Sequence, residues 1–211
     1  NEMLAEYLTQ NNITQQYLEE MSYADFLSTK LYNETIKAVT TTDQEVQESY
    51  DAKVSEQKET YDEDHDAYLD AQEFGELICY VPEGIVRVKH ILIEIDDDAM
   101  TEINTLTEEG KDSEAAAKRQ EALAKILPEA EGVLQSVQAE GADFEAIMKE
   151  KSGDPGLETY PDGYILGKKS LGFEQAFVAA AAALTELKEI SGLVQTDYGY
   201  HIIRLEELYT A

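Results

Sequence analysis

The sequence predicts an α+β protein, in which an all-helical N-terminal region precedes a four-stranded antiparallel sheet surrounded by helices. Three observations carry this. Apolar residues recur at helical spacing through residues 1–38. Two β-branched runs, 85–95 and 200–205, read as strands, and each contains a histidine, His90 and His201. Between the two regions, Pro82 and Gly84 act as punctuation.

The elements follow in order. Leu4, Tyr7 and Leu8 form a first apolar stripe, Ile13, Tyr17, Leu18 and Met21 a second, and Tyr23, Phe26, Leu27, Leu31 and Ile36 a third, with a breaker at Asn11-Asn12 between the first two. Thr42 and Glu45 have the spacing of a capping box, so a helix is expected from about Asp43 with Val46, Tyr50 and Val54 on one face. After the strand at 85–95, Asp96-Asp97-Asp98 leads into a long helix over 112–139, which Pro128 should kink or break. Part of this segment is expected to be an insertion packed outside the sheet, a spacer helix. A short helix follows Phe144, an alanine-rich helix spans 173–184, and strands at 192–196 and 200–205 complete the sheet around a turn at Asp197-Tyr198-Gly199.

A chain of 211 residues has room for one or two domains, and the expected division is a helical region at 1–84 and a second domain at 85–211, with a long helical insertion around 97–139. No apolar run approaches the length of a membrane span. The formal charge of −29 is spread along the whole chain; such a surface repels nucleic acid and anionic lipid and favours cationic or unfolded basic clients, and the competing expectation is a heavily solvated surface with no partner message. The lone Cys79 forms no internal disulfide and reads as a small buried hydrophobe at a strand edge. Because residue 1 is Asn, a start segment is expected upstream.

Residues 62–73 bear on a different function. Asp62, Asp64, Asp66, Asp70 and Glu73 stand at relative positions 1, 3, 5, 9 and 12, the pattern of a calcium-binding EF-hand loop. Position 6, where the sharp turn wants glycine, is Ala67. The competing expectation is an acidic connection between helices.

His90-Ile91-Leu92 and the closing Thr196 to Ile203 segment resemble the ends of the parvulin-type peptidyl-prolyl cis/trans isomerase domain. Between them lie Gly141-Ala142-Asp143-Phe144, Ser152-Gly153-Asp154, Gly163-Tyr164-Ile165-Leu166, Phe173-Glu174 and Ile190-Ser191, in the family's order. The helix before Val39, followed by the capping box, Val46 and Tyr50, is similar to the N-terminal chaperone region of extracytoplasmic foldases of the PrsA and SurA type.

The resemblance implies a β-α-α-α-β-α-β-β domain that needs no cofactor and no metal. It places His90 and His201 beneath the site, in a network with Thr196, and puts Asp154 near the substrate carbonyl. It makes Phe173 the floor of a proline cup, Leu166 or Leu171 a wall, and Tyr198 a rim residue. The clients it implies are unfolded or partly folded proline-containing proteins outside the cytoplasm. Homodimerisation through the N-terminal helices, and tethering by a lipid-modified segment upstream of Asn1, stay open. Two departures, Pro161-Asp162-Gly163-Tyr164 before the second strand and Lys188-Glu189-Ile190-Ser191 before the last hairpin, leave a non-catalytic peptide-binding module as the alternative to an enzyme; a calcium-dependent interaction protein is the third reading.

Overall fold

β1 (Ile85–Glu94) and β4 (Gly199–Leu208) form the centre of a four-stranded antiparallel sheet, ordered β2-β1-β4-β3, with β2 at Tyr164–Gly167 and β3 at Val194–Gln195. In this computed structural model residue 8 and residues 13–37 and 39–209 are described; the Asn11-Asn12 breaker and most of the first apolar stripe lie outside them. The chain divides by packing into Asn1–Ser49 and Tyr50–Ala211.

In the first unit, α1 (Gln15–Ile36) is one uninterrupted helix carrying the third stripe and all of the second except Ile13, and Thr14 caps it by accepting from the Tyr17 N–H at 3.1 Å. None of its residues is buried. α2 (Asp43–Tyr61) opens on the expected reciprocal capping box: the Thr42 N–H donates to Glu45 Oε2 at 2.8 Å, and the Glu45 N–H to Thr42 Oγ1 at 3.2 Å. The division between the units falls inside this helix.

In the second unit, the calcium reading fails on local geometry. Asp64 caps a helix, α3 (His65–Glu73), by accepting from the amides of Asp66 and Ala67. With Ala67 in place of glycine the chain continues into the helix, so positions 4 to 12 of the would-be loop project around a helix axis. Among the described residues no group of three or more His, Cys, Asp or Glu is placed to hold a metal ion. Tyr61, Tyr68 and Ala71 pack instead with Ile85 at the start of β1.

The segment between α3 and β1 is not a strand. Gln57 of α2 ties it down: its amide donates to the Leu77 C=O at 2.7 Å, and its Oε1 accepts from the Cys79 and Tyr80 N–H groups at 2.7 and 3.1 Å. Cys79 is thus half-buried in an irregular segment, which corrects the expected strand edge.

The rest follows the predicted order. α4 (Asp97–Glu108), α5 (Asp112–Gln138) and α6 (Phe144–Lys151) lie between β1 and β2, and α7 (Gln175–Ala182) lies between β2 and β3. The long helix runs through Pro128 without the break that is one of the two expected outcomes, and it joins the layer on one face of the sheet, so the helix as a whole is not a spacer lying outside it. The reason is a single buried stripe, Ala115, Ala122, Leu123, Ala130, Val133 and Val137, that continues on both sides of the proline and packs with Ile91, Ile93 and Ile202. That burial offsets the cost of about 3 kcal/mol for an interior proline. On the opposite face, Phe177, Val178 and Ala181 of α7 pack with Val86, Val88, Ile203 and Leu205.

Replacing Gln57 by Leu leaves two amides and a carbonyl without their partner. The expected loss is about 2 kcal/mol of stability in urea unfolding; an unchanged midpoint would show that the 77–80 segment is held by something else.

Candidate active site

The β1–β4 register sets Leu92 opposite His201 and His90 opposite Ile203. Residues two apart on a strand share a face, so His90 and His201 are diagonal neighbours on the α7 side of the sheet. Their ring centroids are 5.1 Å apart, and each residue is only 7% exposed. Phe177 stands edge-on to both rings, at 5.1 Å from His90 and 5.2 Å from His201, and Phe173 stacks on Phe177 at 5.9 Å.

Thr196 Oγ1 and His201 Nε2 share a hydrogen bond of 2.9 Å, and the same hydroxyl oxygen accepts from the Tyr198 N–H at 3.2 Å. Nδ1 of both histidines is buried without a hydrogen-bond partner among the described residues. A charged imidazolium would have to donate from both nitrogens, and neither ring can. Burial accordingly lowers the pKa of His201 to about 3, with His90 adding to the effect. Burial also lowers the pKa of His90, against a weaker opposing pull from Asp154. Both rings are neutral at physiological pH.

Asp154 reaches the site from a segment that joins the sheet. The Gly153 N–H donates to the Leu92 C=O at 2.8 Å, and Ser152 Oγ accepts from the Leu92 N–H at 3.0 Å. The Asp154 carboxylate then accepts from the Gly156 N–H at 3.1 Å and from the Tyr164 hydroxyl at 2.9 Å. Gly156 has to be glycine here, because a Cβ would collide with the Tyr164 hydroxyl. Asp154 Oδ2 is 3.8 Å from His90 Nε2, too far for a hydrogen bond.

Over these groups opens a groove of about 750 Å³. Of the predicted residues, it is lined by His90, His201, Asp154, Leu171, Phe173 and Tyr198, and Thr196 lies beside it through His201. Leu166 is a correction: wholly buried, it packs in the core with Phe177 and Val88 and does not line the groove, which leaves Leu171 as the wall. Sequence reasoning did not single out Tyr164 or Phe177 as site residues, although both line the groove. In the helix expected over 173–184 Phe177 comes four residues after Phe173, a spacing that reads as core packing; the observed helix begins at Gln175, and Phe173 precedes it.

The family model described as "Rotamase: PPIC-type PPIASE domain" matches residues 90–207, more than half of the chain. The chain belongs to the PPIC-type peptidyl-prolyl isomerases. No curated protein matches it. Solved structures similar to it include the foldase protein PrsA from Streptococcus pneumoniae, at 15% identity and a TM-score of 0.41, covering 94% of this chain and 76% of that one. PrsA from Bacillus subtilis is similar at 22% identity and a TM-score of 0.36, covering 100% of this chain and 60% of its own. The parvulin domain of PpiD from E. coli is similar at 21% identity and a TM-score of 0.35, covering 59% and 88%. At these values the likenesses add no weight to the family assignment.

In this PPIC-type domain the neutral histidines fix the sign of a pH effect. Their folded pKa values lie below the unfolded value of 6.5, so in the window below pH 6.5 the unfolded chain binds protons that the folded chain does not. Their contribution to stability is complete above pH 6.5 and is lost as pH falls towards the folded value of about 3 for His201. For His201 the slope in this window is about 1.4 kcal/mol per pH unit, and His90 adds to it in the same direction. Urea unfolding between pH 7 and pH 4 should therefore fall off less steeply in His201→Gln than in the parent chain, since the carboxylates contribute alike to both. Parallel profiles would show that His201 is not held neutral.

Proposed function

We propose that the chain is a working peptidyl-prolyl cis/trans isomerase that acts as a foldase on exported, proline-containing proteins. Rotation about an Xaa–Pro bond meets a barrier of ~18–20 kcal/mol from amide resonance, and its two end states lie close in energy. No bond is made or broken. Catalysis requires a site that holds the twisted amide better than the planar one, in surroundings that keep water away.

The observation that carries the reading is the groove itself: a largely apolar hollow opening directly over two buried, neutral imidazoles, with the Asp154 carboxylate in its lining. Phe173 and Leu171 offer contact area for a pyrrolidine ring, with Phe177 packed beneath Phe173. As the amide twists, conjugation is lost, and charge shifts from the carbonyl oxygen back to nitrogen. In our reading Asp154, held by Tyr164 and the Gly156 amide, disfavours the charge-separated planar amide beside it. His90, His201 and Thr196 shape the floor without ionising. Tyr198, at the rim, meets the residues flanking the proline.

We assign client binding to the helical region before Gly84 and isomerisation to residues 85–211. The exposed apolar side chains of α1, among them Tyr17, Met21, Tyr23, Phe26 and Leu31, support the first assignment. The extracytoplasmic setting rests on the resemblance around Thr42 to Val46. No helix among the described residues is long and apolar enough to cross a membrane.

An isomerisation assay on an Xaa–Pro peptide tests this. The expected result is acceleration by the chain, with kcat/KM reduced about tenfold or more, at least 1.4 kcal/mol, by Phe173→Ala and by His201→Ala, each with an unchanged circular dichroism spectrum. No acceleration, with suppression of client aggregation retained, would replace the enzyme by a binding module.

A further inference from the structure

The wall of the groove is fastened from outside the residues that the family model covers. Leu171 sits in the connection between β2 and α7 and is 80% exposed, so its own packing does little to fix it. Its backbone is held instead. The Leu171 N–H donates to Asp66 Oδ2 at 2.7 Å, from a residue 105 positions earlier in the first turn of α3. Beside it, Lys169 Nζ donates to the Asp62 C=O. The buried ring of His65 lies against Gly167, where a Cβ would collide with its Nδ1.

The other side of the connection is anchored separately. Ser170 is wholly buried, its Oγ accepts from the Gly167 N–H at 3.1 Å, and its C=O accepts from Gln175 Nε2 at 3.2 Å. The base of the connection is therefore rigid up to Ser170, and Leu171 is the first residue that turns onto the groove. The one polar bond made by its amide goes to Asp66.

We propose that Asp66 is a positioning residue for prolyl-peptide binding, its carboxylate fixing the Leu171 amide and with it the side chain that closes one wall of the groove. The inference rests on the isomerase reading. Asp66 precedes the matched residues 90–207, so the segment around α3 completes the site from outside the domain. A wall that is already in place when substrate arrives lowers the ordering cost of binding. Its loss therefore appears in KM and leaves kcat nearly unchanged.

Two measurements on the full chain test it. Hydrogen exchange needs no turnover: Asp66→Ala should speed exchange in residues 168–172 and leave β1 and β4 as protected as before. In the isomerisation assay, Asp66→Ala should raise KM about three- to tenfold with kcat within about twofold. Asp66→Asn, whose side-chain oxygen still accepts, should recover most of the difference. In a Leu171→Ala background the Asp66→Ala effect should disappear. Unchanged exchange at 168–172, or additive effects in the double variant, overturns the proposal. If the parent chain turns over no peptide, the isomerase reading falls, and the exchange result still decides whether Asp66 holds Leu171.

Discussion

The pairing of β1 with β4 is the constraint on which the other features depend. Both strands are covered on both faces, with α5 on one side and α7 on the other, and such burial leaves the register little freedom. A slip of one residue would carry His201 across the sheet into the aliphatic layer formed by Ile91, Ile93 and Ile202, and would put Ile202 under the groove. The irregularity between Arg87 and Val88 confines the adjustment to the far end of the strands, away from the histidines. With the register fixed, Thr196 reaches His201 across the last hairpin, and Phe177 meets both rings from above.

The two faces of this sheet have different chemistry. The α5 face is packed with apolar side chains, Ile91, Ile93, Ile202, Phe144 and Tyr200 among them, and its buried arginine, Arg204, is paired with Glu145 at 2.6 Å over the Phe144 ring. The α7 face carries aliphatic residues at one end and the polar pair at the other, so the groove is a place where the core is left partly polar and open. Leaving two imidazole nitrogens without partners costs stability. Tyr164 and Phe177 pack against the imidazole pair and Phe173 stacks on Phe177, and this aromatic surface is what the proposed isomerase reading draws on.

Much of this was legible in the chain itself. His90 and His201 stand in β-branched runs, and period-two alternation on paired strands is enough to place them together. Asp154, Phe173 and Tyr198 were reached by motif resemblance, and all three line the groove. The aromatic residues Tyr164 and Phe177 were not recognised because a ring on a strand or helix face looks the same whether it faces a core or a cavity. The choice between Leu166 and Leu171 needed the fold, since only strand pairing shows that Leu166 points into the interior. Pro128 misled in the other direction: local backbone chemistry argued for a break, and a continuous buried stripe across the helix outweighed it. In residues 62–73 the acidic spacing of a loop and the capping signal of a helix competed, and Ala67 decided for the helix.

The attachment of Ser152 and Gly153 to Leu92 has a further implication for recognition. Beyond the end of β2, Leu92 of β1 already has its main-chain donor and acceptor occupied by the Ser152 hydroxyl and the Gly153 amide. At Leu92 an arriving polypeptide therefore cannot pair as an additional strand. On the proposed isomerase reading, recognition there is left to the proline and the residues beside it.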